Sequence, residues 1–374
     1  SLHDALPIQI GRASCREKSP LLGRLGDVYG HKRVVLAALV LTLAGSLVAA
    51  LADSIGWLIF GRVLQGASFG LFPLAISVLR HELPREKLTG AMAVTASALG
   101  VGSGLALVAT GLLTQGGADY RRIFWLCVGM TVAVLLLVIV AVPDRKGAGG
   151  RVDYLGALVL AVGLVCLLLP TSQGHDWGWG SARVIGLYVA SAVVLVGFWI
   201  IQTRRREPLV SVELLTHRAV LATNTASLCV GFAMFSVFLG ATYFVQTPEM
   251  VAGYGFGASV LKTSVMFMLP GAIVSILVGP VAGFLVGRGG PRIVLLGASV
   301  IGVVGMLLLA LLHESSGEMI VGLVIANVAV AAAYAAMPAL LVSNVEPHET
   351  GIANSINSIM RTVGGAIGSA VIIT

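Results

Sequence analysis

Charge is scarce in this chain. Only 11% of its 374 residues are Asp, Glu, Lys or Arg, where a soluble domain carries about 25%. That leaves too little polar surface to cover a water-facing globule, so soluble enzymes and soluble binding modules are excluded. Walker A and His-Glu-x-x-His sequences are both missing, and no apolar stretch holds a clear mid-membrane Asp or Glu. An ATP-driven pump, a zinc hydrolase and a paired-carboxylate membrane enzyme therefore all lack their chemistry. The four cysteines form no metal-ligand spacing. Cys127, Cys166 and Cys229 lie inside apolar windows, where cysteine acts as a small hydrophobe. No cofactor, no metal and no enzymatic activity are expected. Strand-period alternation is absent as well, which excludes a β-barrel.

What is abundant is apolar sequence, 57% of residues, arranged in runs that approach the roughly 20 residues needed to cross a bilayer. Eleven windows qualify: Val34–Leu51, Trp57–Leu79, Leu88–Leu113, Ile123–Val142, Tyr154–Leu169, Val184–Ile201, Val220–Val245, Ser259–Val286, Ile293–Leu312, Met319–Val342 and Gly351–Thr374. The fold class is an all-α membrane protein whose main solvent is lipid.

Lys and Arg of short loops collect on the cytoplasmic side. Alternate loops are rich in them: Arg24, Lys32 and Arg33; Arg80, Arg85 and Lys87; Arg145, Lys146 and Arg151; Arg204, Arg205, Arg206 and Arg218; Arg288 and Arg292. These face the cytoplasm. The net charge of +7 is this loop bias and implies no nucleic-acid partner.

One pattern occurs twice. "GRLGDVYGHKRVVLAALV" starts at Gly23 and "GFLVGRGGPRIVLLGASV" at Gly283. In each, a second Gly follows seven residues on (Gly30, Gly290), then a basic residue (Lys32, Arg292), then an apolar helix. Eight spans separate the two turns, and duplicated helical halves are a common transporter plan.

The first turn resembles the signature loop of the major facilitator superfamily, roughly G-x-L-a-D-r-x-G-r-[KR]. "FGRVLQG" is similar to that family's R-x-x-Q-G signature, with Arg62, Gln65 and Gly66 in place. Twelve-span members separate the paired loops by six spans. Eight imply two inserted spans, the plan of the fourteen-span drug:proton antiporters, and "SQGHDWGWGS" and "GYGFGASVL" also resemble stretches of that subfamily. The resemblance covers about Pro20 to Thr374. It implies a major facilitator fold of two pseudo-repeated six-helix halves plus two inserted spans, here about eleven complete helices. The organisation read from it is 20–142 for the first half, 143–219 for the inserted spans and linker, and 220–374 for the second half. It also implies a fragment without the first span, most of the second, and the last.

Residues 1–19 fit none of this. "SLHDALPI" can be back-translated so that its reverse complement encodes "IGRASCR", which is the mark of a translated sequencing-adapter dimer. The expectation is that this segment is foreign to the bundle.

The resemblance assigns Gly23, Asp27, Gly30, Lys32 and Arg33 to a cytoplasmic gate, with Gly283, Arg288, Gly290 and Arg292 as its second-half counterpart. Asp27 also has the chemistry of a helix cap, since a carboxylate accepts orphan backbone N–H groups. Arg62, Gln65 and Gly66 are assigned by resemblance to proton coupling. Arg62 sits inside an apolar window, where a charge is costly and turns to the bundle interior. Arg cannot carry a proton, so its role is electrostatic, and Gln65 at i+3 can join its hydrogen bonds. Its expected place is the central cavity of the first half. Gly66 and Gly70, spaced for close helix contact, are expected to admit a neighbour.

Gly100, Gly104 and Gly111 stud the fifth span of the family plan, where antiporters carry a Gly-Pro signature and this chain has Val108. Polar residues in apolar helices of the second half, namely Asn224, Gln246, Asn327, Tyr334, Asn357 and Arg361, either line a cavity or bond across helices. The two inserted spans hold almost no polar residues and should lie beside the bundles.

The expected activity is secondary transport: proton-coupled efflux of drugs or other small lipophilic molecules by alternating access. Alternatives are export of one metabolite or siderophore, or a sensor on a transporter scaffold. The partners expected are a small-molecule substrate, protons and the lipid bilayer. The setting is a bacterial plasma membrane, crossed many times by a monomer.

Overall fold

Backbone in hydrocarbon must satisfy its own hydrogen bonds, and a continuous helix does so within one segment. The computed structural model, described for residues 25–26, 28–114, 119–144, 153–204, 214, 216–345 and 350–373, follows that rule. It is helical, with no strand among those residues. Residues 1–19, Gly23 and Asp27 lie outside the described residues, and so do the expectations attached to them.

The helices are α1 (His31–Ala50), α2 (Ile55–Gln65), α3 (Leu71–Glu82), α4 (Arg85–Leu113), α5 (Arg121–Ala141), α6 (Tyr154–Trp177), α7 (Ala182–Arg204) and α8 (Arg218–Gln246). After them come α9 (Val260–Gly289), α10 (Pro291–Leu311), α11 (Ser316–Asn344) and α12 (Thr350–Ile373). Among the described residues nine spans are long and apolar enough to cross a membrane, with α2 and the start of α3 forming one of them. The other two expected spans are α4, of 29 residues, and α12, of 24.

Three elements depart from the expected windows. The second window is broken: α2 gives way to a 3-10 segment, Gly66–Gly70, before α3. The fifth window runs past Leu169 to Trp177. Pro170 removes one ladder donor there, while the Thr171 hydroxyl donates to the Leu167 carbonyl at 2.7 Å. Side-chain hydroxyls commonly re-satisfy the backbone around a membrane proline. In α9 the turn Thr263–Met268 is a π-helix. Pro270 explains it, because it has no N–H to donate and its ring crowds the carbonyl four residues earlier, so the ladder widens before it.

Packing falls into three groups. α1 packs on α2 and α5. α6 and α7 pack on each other, with α6 also reaching α12. α8, α9, α10, α11 and α12 form the largest group, with α8 on α12, α10 on α11 and α9 on α11. α4 joins that group by packing along α9.

The inserted pair is less apolar inside than its composition suggests. Ser191 donates to the Gly163 carbonyl at 2.9 Å, and Gln202 donates to the Asp153 carboxylate at 3.0 Å. Asp153 also accepts from the Gly156 N–H at 2.8 Å and so caps α6. These are buried polar pins between α6 and α7.

Candidate functional site

Close approach of helices sets the positions of the functional side chains. α1 and α2 cross where Gly45 faces the backbone of Gly61 and Gln65. A Cβ at Gly61 would stand 2.7 Å from the Gly45 carbonyl oxygen. Gly66 does not make this contact. Gly66 belongs to the 3-10 segment, and a Cβ there meets nothing within 4 Å. The expected close approach therefore occurs one turn earlier, at Gly61.

That crossing brings Gln65 to α1. Its side-chain amide donates to the Ser46 hydroxyl at 2.8 Å, and Ser46 donates to the Thr42 carbonyl at 2.8 Å. Arg62 donates to the Gln65 side-chain oxygen at 3.4 Å. Its guanidinium lies 5.0 Å from the centre of the Phe124 ring on α5, a cation–π distance. A polar chain thus runs Arg62–Gln65–Ser46, with Ser46 completely buried and Arg62 at the exposed end. Ser46, Thr42 and Phe124 were not singled out from sequence. The i, i+4 pairing of Thr42 and Ser46 within an apolar run was the available signal.

The duplicated turns share one geometry. Gly30 has φ 98° and its N–H donates to the Gly26 carbonyl at 2.8 Å. Gly290 has φ 83° and its N–H donates to the Val286 carbonyl at 3.0 Å. Both φ values lie in the region open to glycine and strained for other residues, and each glycine starts the next helix. Around the first turn, Lys32 donates to the Ile139 carbonyl at 2.8 Å, and Arg33 lies 3.7 Å from Asp144. Both contacts tie the start of α1 to the end of α5. Arg33 and Asp144 are about half exposed, and an ion pair of that kind contributes about 0–1 kcal/mol. In the second turn Arg288 sits 4.4 Å over the Phe284 ring. Gly283 is buried in α9.

Gly104 and Gly111 mark where α4 meets α9. A Cβ on Gly104 would come within 2.9 Å of the Ala272 methyl, and one on Gly111 within 3.1 Å of Leu261. Gly111 faces α9 beside the π-turn, whose Ser264 hydroxyl is within 3.2 Å. The side-chain surroundings of Gly100 are outside the described residues.

α8, α9, α10 and α11 line a half-open cavity of about 730 Å³, to which Leu107 of α4 also contributes. Small-molecule sites measure about 300–1,000 Å³. Asn327 and Tyr334 line it, together with Ser275, Ser299 and the thioethers of Met234 and Met306. The other candidates lie elsewhere. Asn357 donates to Asn224 at 3.3 Å, and both are buried in the α8–α12 contact, where they bond across helices. Gln246 ends α8 and does not line the cavity. Arg361 lies just outside it, with its guanidinium 4.2 Å over the Tyr334 ring.

Comparison with known proteins decides which architecture this is. The sequence profile described as Major Facilitator Superfamily matches residues 19–369. The chain belongs to the Major Facilitator Superfamily. A superfamily relative, multidrug resistance protein 3 of Bacillus subtilis, is 28% identical over 93% of this chain and 67% of its own length. The tetracenomycin C resistance and export protein of Streptomyces glaucescens is 26% identical over 94% of this chain and 64% of its own. The chain therefore spans about two thirds of the length of these two relatives. Among solved structures, the human organic anion transporter MFSD10 superposes with a TM-score of 0.64 at 17% identity, over 96% of this chain and 74% of that one. At that identity the likeness speaks for the fold alone. The helical bundle and its apolar spans are those of a multi-pass membrane protein of this superfamily.

Proposed function

We propose that this chain forms the body of a secondary active exporter of small lipophilic molecules, coupled to protons and working by alternating access. The observation that carries the reading is the half-open cavity lined by α8 to α11 next to the glycine-lined crossing of α4 on α9. Leu107 of α4 contributes to the wall of that cavity, so a shift of α4 along α9 would change its opening. Names among the relatives, a multidrug resistance protein and an antibiotic resistance and export protein, support an outward cargo of this kind.

The organisation we propose is the fourteen-span one, with 20–142 and 220–374 as contributions to the two halves and 143–219 as inserted spans and linker. The separate packing of α6 on α7 supports it. In this reading the Gly30 and Gly290 turns are paired cytoplasmic hinges, and the Arg62–Gln65–Ser46 chain tunes a proton-carrying group electrostatically.

The test uses the full chain in liposomes with trapped pyranine and an imposed pH gradient. Adding compounds from a panel that includes neutral chloramphenicol and cationic tetraphenylphosphonium should speed dissipation of the gradient for at least one of them. If none does so, while flux of the same compounds is measured directly, proton coupling is wrong. If no flux of any compound is found, the exporter reading fails.

A further inference from the structure

Resting on the exporter reading, we infer that the cavity selects its cargo by charge: it takes uncharged lipophilic molecules that carry a hydrogen-bond acceptor and rejects permanent cations. No Asp, Glu, Lys, Arg or His is among the described residues that line it. The described acids of this half, Glu249, Glu314 and Glu318, sit at or between helix ends, away from the cavity wall. A lipophilic cation entering would shed water without meeting a carboxylate, and an unpaired charge in an apolar site is expensive.

The aromatic alternative is weakened as well. Tyr334 could hold a cation over its ring, but the Arg361 guanidinium already lies 4.2 Å over that ring. Arg stays protonated, so it adds a fixed positive charge behind the wall. Phe235 and Phe238 remain, and neither is the strongest ring for a cation.

Polar contacts in the wall point to a neutral ligand. The hydroxyls of Ser275 and Ser299 both donate to carbonyls of their own helices, at 2.9 Å each. Asn327 donates one amide hydrogen to the Leu323 carbonyl at 2.9 Å, leaving a second N–H on the same amide. The Tyr334 hydroxyl donates to the Met234 sulfur at 3.4 Å, and a thioether is a weak acceptor. A ligand carbonyl or oxide would be a better one. Asn327 and Tyr334 are seven residues apart on α11, which places their Cα atoms on one face about 10 Å apart.

The experiment compares two phenyl compounds that differ in charge: triphenylphosphine oxide, which is neutral with a strong acceptor, and tetraphenylphosphonium. Equilibrium binding of each, radiolabelled, is measured on the purified full chain, and flux of each is measured in liposomes. The oxide should bind at least about tenfold more tightly. Asn327→Ala should weaken its binding about fivefold, the scale of one hydrogen bond. Cys229→Phe, which fills the cavity from an exposed position on its wall, should remove binding while thermal stability is kept. Arg361→Gln, which removes a fixed positive charge from beside the cavity, should raise tetraphenylphosphonium affinity at least about threefold. Equal or tighter binding of the cation overturns charge selection and leaves the exporter reading in place. Oxide binding unchanged by both Asn327→Ala and Cys229→Phe overturns the cavity as its site. Absence of flux for both compounds, with binding intact, counts against the exporter reading instead.

Discussion

At the residue scale, single atoms decide which glycines matter. Gly231 and Gly364 press α8 and α12 together so closely that a Cβ on Gly364 would collide with the Leu228 carbonyl, and one on Gly231 with that of Arg361. Backbone cannot swing aside as a side chain can. Gly364→Ala is expected to lower stability by about 1–3 kcal/mol, the usual cost of overpacking, read as a drop in the thermal unfolding midpoint in detergent. Gly66→Ala meets nothing within 4 Å and should leave that midpoint unchanged. At Gln65, a single side chain links Arg62 to Ser46. Gln65→Leu keeps the bulk and loses both bonds while Ser46 keeps its bond to the Thr42 carbonyl, at a cost of about 0.5–1.5 kcal/mol per bond. In the exporter reading it should also move the pH dependence of transport. Ser46→Ala, which removes only the distal partner, should leave that profile in place, and equal effects of the two would reduce the chain to a packing feature.

Elements carry strain and slack in identifiable places. The π-turn of α9 stands before Pro270 and against Gly111 of α4, so the least regular turn of one helix faces the smallest residue of the other. Gly111→Leu should block sliding of α4 on α9. The expected result is transport slowed at least about tenfold with protein levels kept, since the surrounding helices individually remain intact. Equal loss of level and rate would make the glycine purely structural. In the inserted pair, Asp153 accepts from Gln202 and from the Gly156 N–H. Asp153→Ala removes the cap of α6 and one partner of the buried Gln202 amide, with an expected loss of about 1 kcal/mol, measured as earlier thermal unfolding. Asp153→Asn retains an acceptor oxygen and should lose less.

For the whole molecule, the relevant fact is that the group of α1, α2 and α5 meets the other helices only lightly. Within that group α1 packs along α5, and beside the Gly30 turn a Lys32–carbonyl bond and one half-exposed ion pair add to the packing. An ion pair that exposed separates and re-forms at little cost. Arg33→Gln should therefore change stability by less than about 1 kcal/mol. If the first turn is a hinge, the variant should change the transport rate by more than that small energy suggests. A rate identical to the parent's would remove Arg33 from the gate.

Much of this protein was legible before any coordinates. Low charge and long apolar runs dictate helices in lipid, because no other open segment satisfies its backbone there. The span positions, the loop bias and the duplicated Gly30 and Gly290 turns follow from composition and spacing alone, since glycine at positive φ leaves a mark in sequence. Which polar residues meet was not legible. Asn224, Asn327 and Asn357 look alike along the chain, yet Asn327 lines a cavity while the other two bond to each other across α8 and α12. Gly61 and Gly66 look alike too, yet only Gly61 meets a neighbour. The sequence by itself determined the medium and the helices, because those depend on the transfer energies of local segments. Tertiary structure alone decided the cavity, the helix crossings and the partner of each buried polar group, because those depend on the rotation of each helix about its axis, which only its neighbours set.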